Sequence, residues 1–120
     1  MSDLDLIVSG APVPQGRCRV PRFGKPYYPK STQDYRKTLV EAVRSCWKMP
    51  PLTRAGLAVS AYGMRANGDL SNLLKAVEDA LVEAKALEGD TWLHLPVIHL
   101  FGHHASKENR RVEICLSSLN

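Results

Sequence analysis

Apolar and polar positions recur along this chain with two periods, and each stretch of one period predicts one element. Residues 4–8 alternate weakly, with β-branched Ile7 and Val8 at the end, and predict a first strand. Residues 9–17 interrupt the pattern with Gly10, Pro12, Pro14 and Gly16, the composition of an irregular loop. Residues 18–22 and Tyr27-Tyr28 predict a short hairpin around Phe23-Gly24-Lys25-Pro26, ended by Pro29. Ser31 or Thr32 then caps a helix expected over about 33–47, where Tyr35, Leu39, Val40, Val43 and Trp47 share one apolar face. Pro50 and Pro51 stop it.

Period two returns at residues 57–64, a strand that leads to Gly68. Asp69 or Ser71 is placed to cap the next helix, on which Leu70, Leu73, Leu74, Val77 and Leu81 form the buried face. That pattern fades at residues 83–85. An extended segment is expected over 92–101, with Pro96 demanding an edge position or a bulge. A polar turn at 102–109 and a last strand at 111–116 close the chain. The order predicts an α+β fold, a single mixed β-sheet with two helices on one face.

Composition narrows the class. The 120 residues fit a single domain, 1–120. No apolar run approaches the ~18 residues of a membrane span, and Met-Ser-Asp-Leu-Asp does not read as a signal peptide. No membrane partner is therefore expected. Cys18, Cys46 and Cys115 have no metal-binding spacing and suggest a reducing cytoplasm. The net charge of +4 is uneven, since the basic stretch from Arg17 to Lys48 has only Asp34 and Glu41 against it. A solvated basic surface is the ordinary reading of one such cluster. Here Lys107, Arg110 and Arg111 supply a second, and the two flank a carboxylate-bearing segment, which points to phosphate binding. Arg17, Arg19, Lys25, Lys30 and Arg36 are the candidate nucleic-acid contacts, interleaved with Phe23, Tyr27 and Tyr28.

On the second helix Asn72, Lys75 and Asp79 share the polar face, with Ser71 and Glu78 at its edge. Asp69 precedes the helix and Asp90 follows it. Singly, these are a helix cap and a turn residue. Together with Lys75 they are candidates to converge on a divalent cation and a phosphate. His94, His99, His103 and His104 lack the spacing and the cysteine partners of a zinc site.

The stretch Asp69-Leu-Ser71-Asn72-Leu73-Leu74-Lys75-Ala-Val-Glu-Asp79-Ala80-Leu81, with Gly89-Asp90 after it, resembles the signature of the RusA family of Holliday-junction resolvases. That signature runs roughly Asp-x-Asp-Asn-Leu-x-Lys-x-x-x-Asp-Ala-Leu and is followed by a loop with two adjacent acids. Gly10-Ala-Pro12-Val-Pro14-Gln-Gly-Arg17 and Tyr27-Tyr-Pro29-Lys30-Ser-Thr32-Gln-Asp-Tyr35 are similar to outer motifs of one branch of the family. The chain departs where Ser71 stands for the second Asp and Gly89 for one acid of the loop.

The resemblance implies a homodimeric endodeoxyribonuclease that uses Mg²⁺, or alternatively Mn²⁺, to cut four-way DNA junctions in recombination and repair. It implies Asp69, Lys75 and Asp90 as catalytic, Asp69, Asp90 and Ser71 around the metal, and Asn72 and Asp79 in support. A bacterial cytoplasm, with phage or prophage origin, is the implied setting. Ser71 removes one negative charge from that site; Glu78 could compensate, and Asp79 could orient Lys75. An alternative from another class is a branched-DNA-binding protein of the same fold with impaired catalysis. A third is a small basic RNA-binding or assembly protein.

Overall fold

Alternate residues of three segments turn inward, and a fourth, largely exposed segment completes one sheet with them. In the computed structural model, which describes residues 2–119, the order is β1 (Leu4–Ser9), α1 (Lys30–Cys46), β2 (Ala55–Tyr62), α2 (Leu70–Glu83), β3 (Val97–His103), a 3-10 turn (Lys107–Asn109) and β4 (Arg111–Ser118). The strands lie in the order β1-β4-β2-β3. β4 is antiparallel to both β1 and β2, whereas β2 and β3 are parallel, so the sheet is mixed. A parallel pair needs a long crossover, and α2 is that crossover.

Leu4, Leu6 and Val8, Leu57, Val59 and Ala61, and Val112, Ile114 and Leu116 bury the same face of the sheet. Leu39, Val40, Val43 and Trp47 of α1 and Leu73, Val77, Ala80 and Leu81 of α2 join them in one core, so both helices cover that face. This is the expected α+β architecture. Each large apolar side chain fully removed from water contributes about 1.5–3 kcal/mol. That energy pins the register of β4, because a one-residue slip would expose its whole apolar set.

Four local expectations change. The helix α1 begins at Lys30, with Pro29 (φ −54°) as its N-cap and no side chain capping it. The Thr32 hydroxyl instead accepts the Gly16 amide at 2.9 Å. The hairpin shrinks to one antiparallel bridge, Arg19 with Tyr27, because Pro21 and Pro26 have no N–H with which to extend a ladder. The extended segment at 92–101 is strand only from Val97. Before it, the amides of His94 and Leu95 both turn back to the Thr91 carbonyl (3.0 and 2.9 Å). Pro96 therefore lies one residue outside an edge strand. The polar turn begins after His103, since β3 runs alongside β2 as far as Tyr62.

Candidate active site

The polar face of α2 is set by what happens at its two ends. At the N-terminus, the Gly68 amide donates to the Arg65 carbonyl at 2.8 Å and closes a turn. A Cβ on Gly68 would lie 2.8 Å from Met64 Cγ and 3.0 Å from the Arg65 carbonyl, so a larger residue would have to push Met64 aside and crowd the turn. The turn delivers Asp69 as the N-cap of α2. Asp69 Oδ1 accepts the Ser71 amide at 2.8 Å and the Ser71 hydroxyl at 2.6 Å. Those bonds, the hydroxyl first, hold the Asp69 carboxyl below its ordinary range, although the group is fully exposed. Asp69 is thus a charged carboxylate, oriented by the helix it starts. Ser71, which stands where the signature it resembles has a second Asp and was expected around the metal, serves as a donor to the Asp69 carboxylate.

At the C-terminus, Lys85 takes a left-handed conformation (φ 62°). Its amide donates to the Val82 carbonyl (3.1 Å) and that of Ala86 to the Leu81 carbonyl (2.9 Å), a Schellman ending. The chain then turns back, and Leu52 exchanges backbone hydrogen bonds with Ala86 (2.9 Å) and Glu88 (3.0 Å). The loop carrying Asp90 leaves from this pinned point and is held again by the Thr91 turn. His94 Nδ1 lies 2.8 Å from the Thr53 carbonyl, which makes that histidine part of the frame.

Between the two ends, Glu78 is half-buried. Burial first, then the charges of Asp90 and Asp79, push its carboxyl up to about 7, while Lys75 acts in the opposite direction. The fold therefore brings Asp90, Asp79 and Lys75 into electrostatic range of Glu78. Asp69 stands with Ser71 at the start of the helix. Among the described residues, no three His, Cys, Asp or Glu side chains converge closely enough to hold an ion between them.

The basic residues divide. Arg17 is exposed and lines a cavity of about 340 Å³ with Asn72 and Lys75. The Asn72 carbonyl accepts the Gln15 amide at 3.1 Å, fixing the loop that carries Arg17 against the first turn of α2. No spacing rule reveals this contact, because it joins parts of the chain far apart in sequence. Arg19 is exposed at the bridge to Tyr27, Lys25 is exposed near the tip of the loop it closes, and Lys30 is exposed at the start of α1. Arg36 makes an ion pair with Glu83 at 3.0 Å and ties α1 to α2. In the second cluster, Arg111 Nε donates to Glu113 at 2.6 Å, and its guanidinium lies 3.8 Å from the Tyr62 ring centroid. His103 stacks on the same Tyr62 at 4.5 Å.

The fold and this site describe an α+β protein with cationic groups beside a carboxylate-bearing helix. The family model of the endodeoxyribonuclease RusA matches residues 9–117, nearly the whole chain. The chain belongs to the RusA endodeoxyribonuclease family, and membership implies Holliday-junction resolvase activity. No individually curated protein matches it significantly. No helix among the described residues is long and apolar enough to cross a membrane.

Nucleases of this family generally need a divalent metal. Asp69, Asp90 and Glu78 each offer carboxylate oxygens, the ligand chemistry of a hard cation of the Mg²⁺ or Mn²⁺ kind, although the three are not gathered around one point.

Proposed function

We propose that the protein is a divalent-metal-dependent, structure-selective endodeoxyribonuclease that cuts four-way DNA junctions as a homodimer. The observation that carries this reading is the shared cleft of Arg17, Asn72 and Lys75, which adjoins the Asp69 end of α2. Asp69 and Asp90 would hold the cation, Mg²⁺ or alternatively Mn²⁺. When bound, such an ion neutralises charge on the phosphate and makes water a better nucleophile. Lys75 is a cation with three donors, suited to the extra negative charge of the transition state. Asn72 and Asp79 orient groups beside it. Arg17, Arg19, Lys25 and Lys30 bind backbone phosphates, and Arg36 joins them only by sharing its guanidinium between Glu83 and a phosphate. Two cuts in a symmetric junction require two sites related by a two-fold axis, hence the dimer. A bacterial cytoplasm, in a phage or prophage context, is the setting in keeping with this role.

Ser71 favours one other reading, a branched-DNA-binding protein that no longer cuts. Its hydroxyl satisfies Asp69 where the family signature has a carboxylate. A synthetic four-way junction, scored for binding and for cutting across a Mg²⁺ and Mn²⁺ series beside matched duplex, separates the two. The nuclease reading expects metal-dependent cutting that Asp69→Asn or Asp90→Asn abolishes while binding persists. Cutting by both variants at the wild-type rate would place the active site elsewhere. Binding without cutting at any metal concentration selects the second reading.

A further inference from the structure

The cleft between the 15–18 loop and α2 is built from two directions. The Gln15 amide anchors the loop to the Asn72 carbonyl (3.1 Å), and the Gly16 amide anchors it to Thr32 Oγ1 of α1 (2.9 Å). These bonds hold Arg17 opposite Lys75, so that two cations and the Asn72 amide face one space of about 340 Å³. Among the described residues no carboxylate lines that space, and Tyr28 borders it. Lys75 follows Asn72 by three residues, so both present the same side of the helix. Asp69 and Ser71 lie immediately before Asn72, which sets the cleft next to the carboxylate end of α2. A singly charged, tetrahedral group with an attached sugar suits this combination: two cations satisfy its oxygens, and the ring covers an apolar edge.

We propose that this cleft seats one backbone phosphate of the DNA strand to be cut, gripped between Arg17 and Lys75, with Tyr28 against the adjoining sugar or base. The seat rests on the junction-nuclease reading. It fixes the strand relative to Asp69, so Arg17 is a positioning residue for the reaction.

Cys18 lines the same cleft and is exposed, whereas Cys46, also exposed, lies at the end of α1 and outside it. Alkylation of the full chain by iodoacetamide, in EDTA with and without a saturating four-way junction, therefore reports occupancy directly. Peptide mass spectrometry gives the rate at each cysteine. The expected result is that DNA slows Cys18 at least about tenfold and leaves Cys46 unchanged. In parallel, Arg17→Gln and Lys75→Gln should each lower the slope of log K against log salt by about one unit. If the junction binds and Cys18 still reacts at its free rate, with both slopes unaltered, the seat is wrong and the nuclease reading stands. If the junction does not bind at all, both fall.

Discussion

Thr32→Val tests how the cleft is held. Thr32 is a buried polar side chain beside the core, with a relative exposure of 6%. Its hydroxyl accepts the Gly16 amide across a long sequence separation. Valine keeps the β-branched shape and nearly the same helix propensity, so the change removes the acceptor and little else. A buried donor left without a partner costs about 1–3 kcal/mol. The Gly16 bond is only partly buried, so water recovers some of that cost, and about 1 kcal/mol is expected. For a chain of this size that is a fall in Tm of roughly 4 °C. The same loss should appear locally, as about fivefold faster exchange of the Gly16 amide by NMR. The loop then keeps only its Asn72 anchor, and junction affinity should fall with it. A melting temperature within about 1 °C of wild type, together with unchanged Gly16 exchange, would refute the claim that Thr32 holds the loop.

Three further outcomes are expected. Lys85→Gly should raise stability by about 1 kcal/mol in thermal melts, because the left-handed position after α2 strains any side chain and Lys85 is exposed; a loss of stability would mean that the Lys85 side chain matters. Ser71→Asp should lower Tm in EDTA, by setting a second anion beside Asp69, and should enlarge the Tm rise produced by Mg²⁺; equal metal shifts in the two proteins would remove Ser71 from the metal site. Without metal, Glu78 holds a proton in the folded state up to about pH 7 that it loses near its ordinary value of 4.5 when unfolded. Its contribution to stability is therefore fully present below about 4.5 and lost as pH rises through 7. Glu78→Gln should flatten that part of the stability curve in urea titrations, and an unaltered curve would exclude Glu78 as its source.

Local pattern alone determined the alternating strands, the apolar faces of both helices and the α+β class, because burial on one side of a strand or helix imposes its period on the sequence. The spacing from Asp69 through Lys75 to Asp79 was likewise complete in the sequence, since a helix places residues by counting. Three things required tertiary structure. The start of α1 moved because Thr32, by composition a cap, found a better partner in Gly16. Arg36, counted with the free cations, was claimed by Glu83 of the other helix. The cleft itself joins a proline-rich loop to a helix far along the chain, through a backbone bond from Gln15 to Asn72 that any pair of residues could make. Backbone hydrogen bonds leave no side-chain signature, so only packing of the loop between two helices decided where Arg17 would stand.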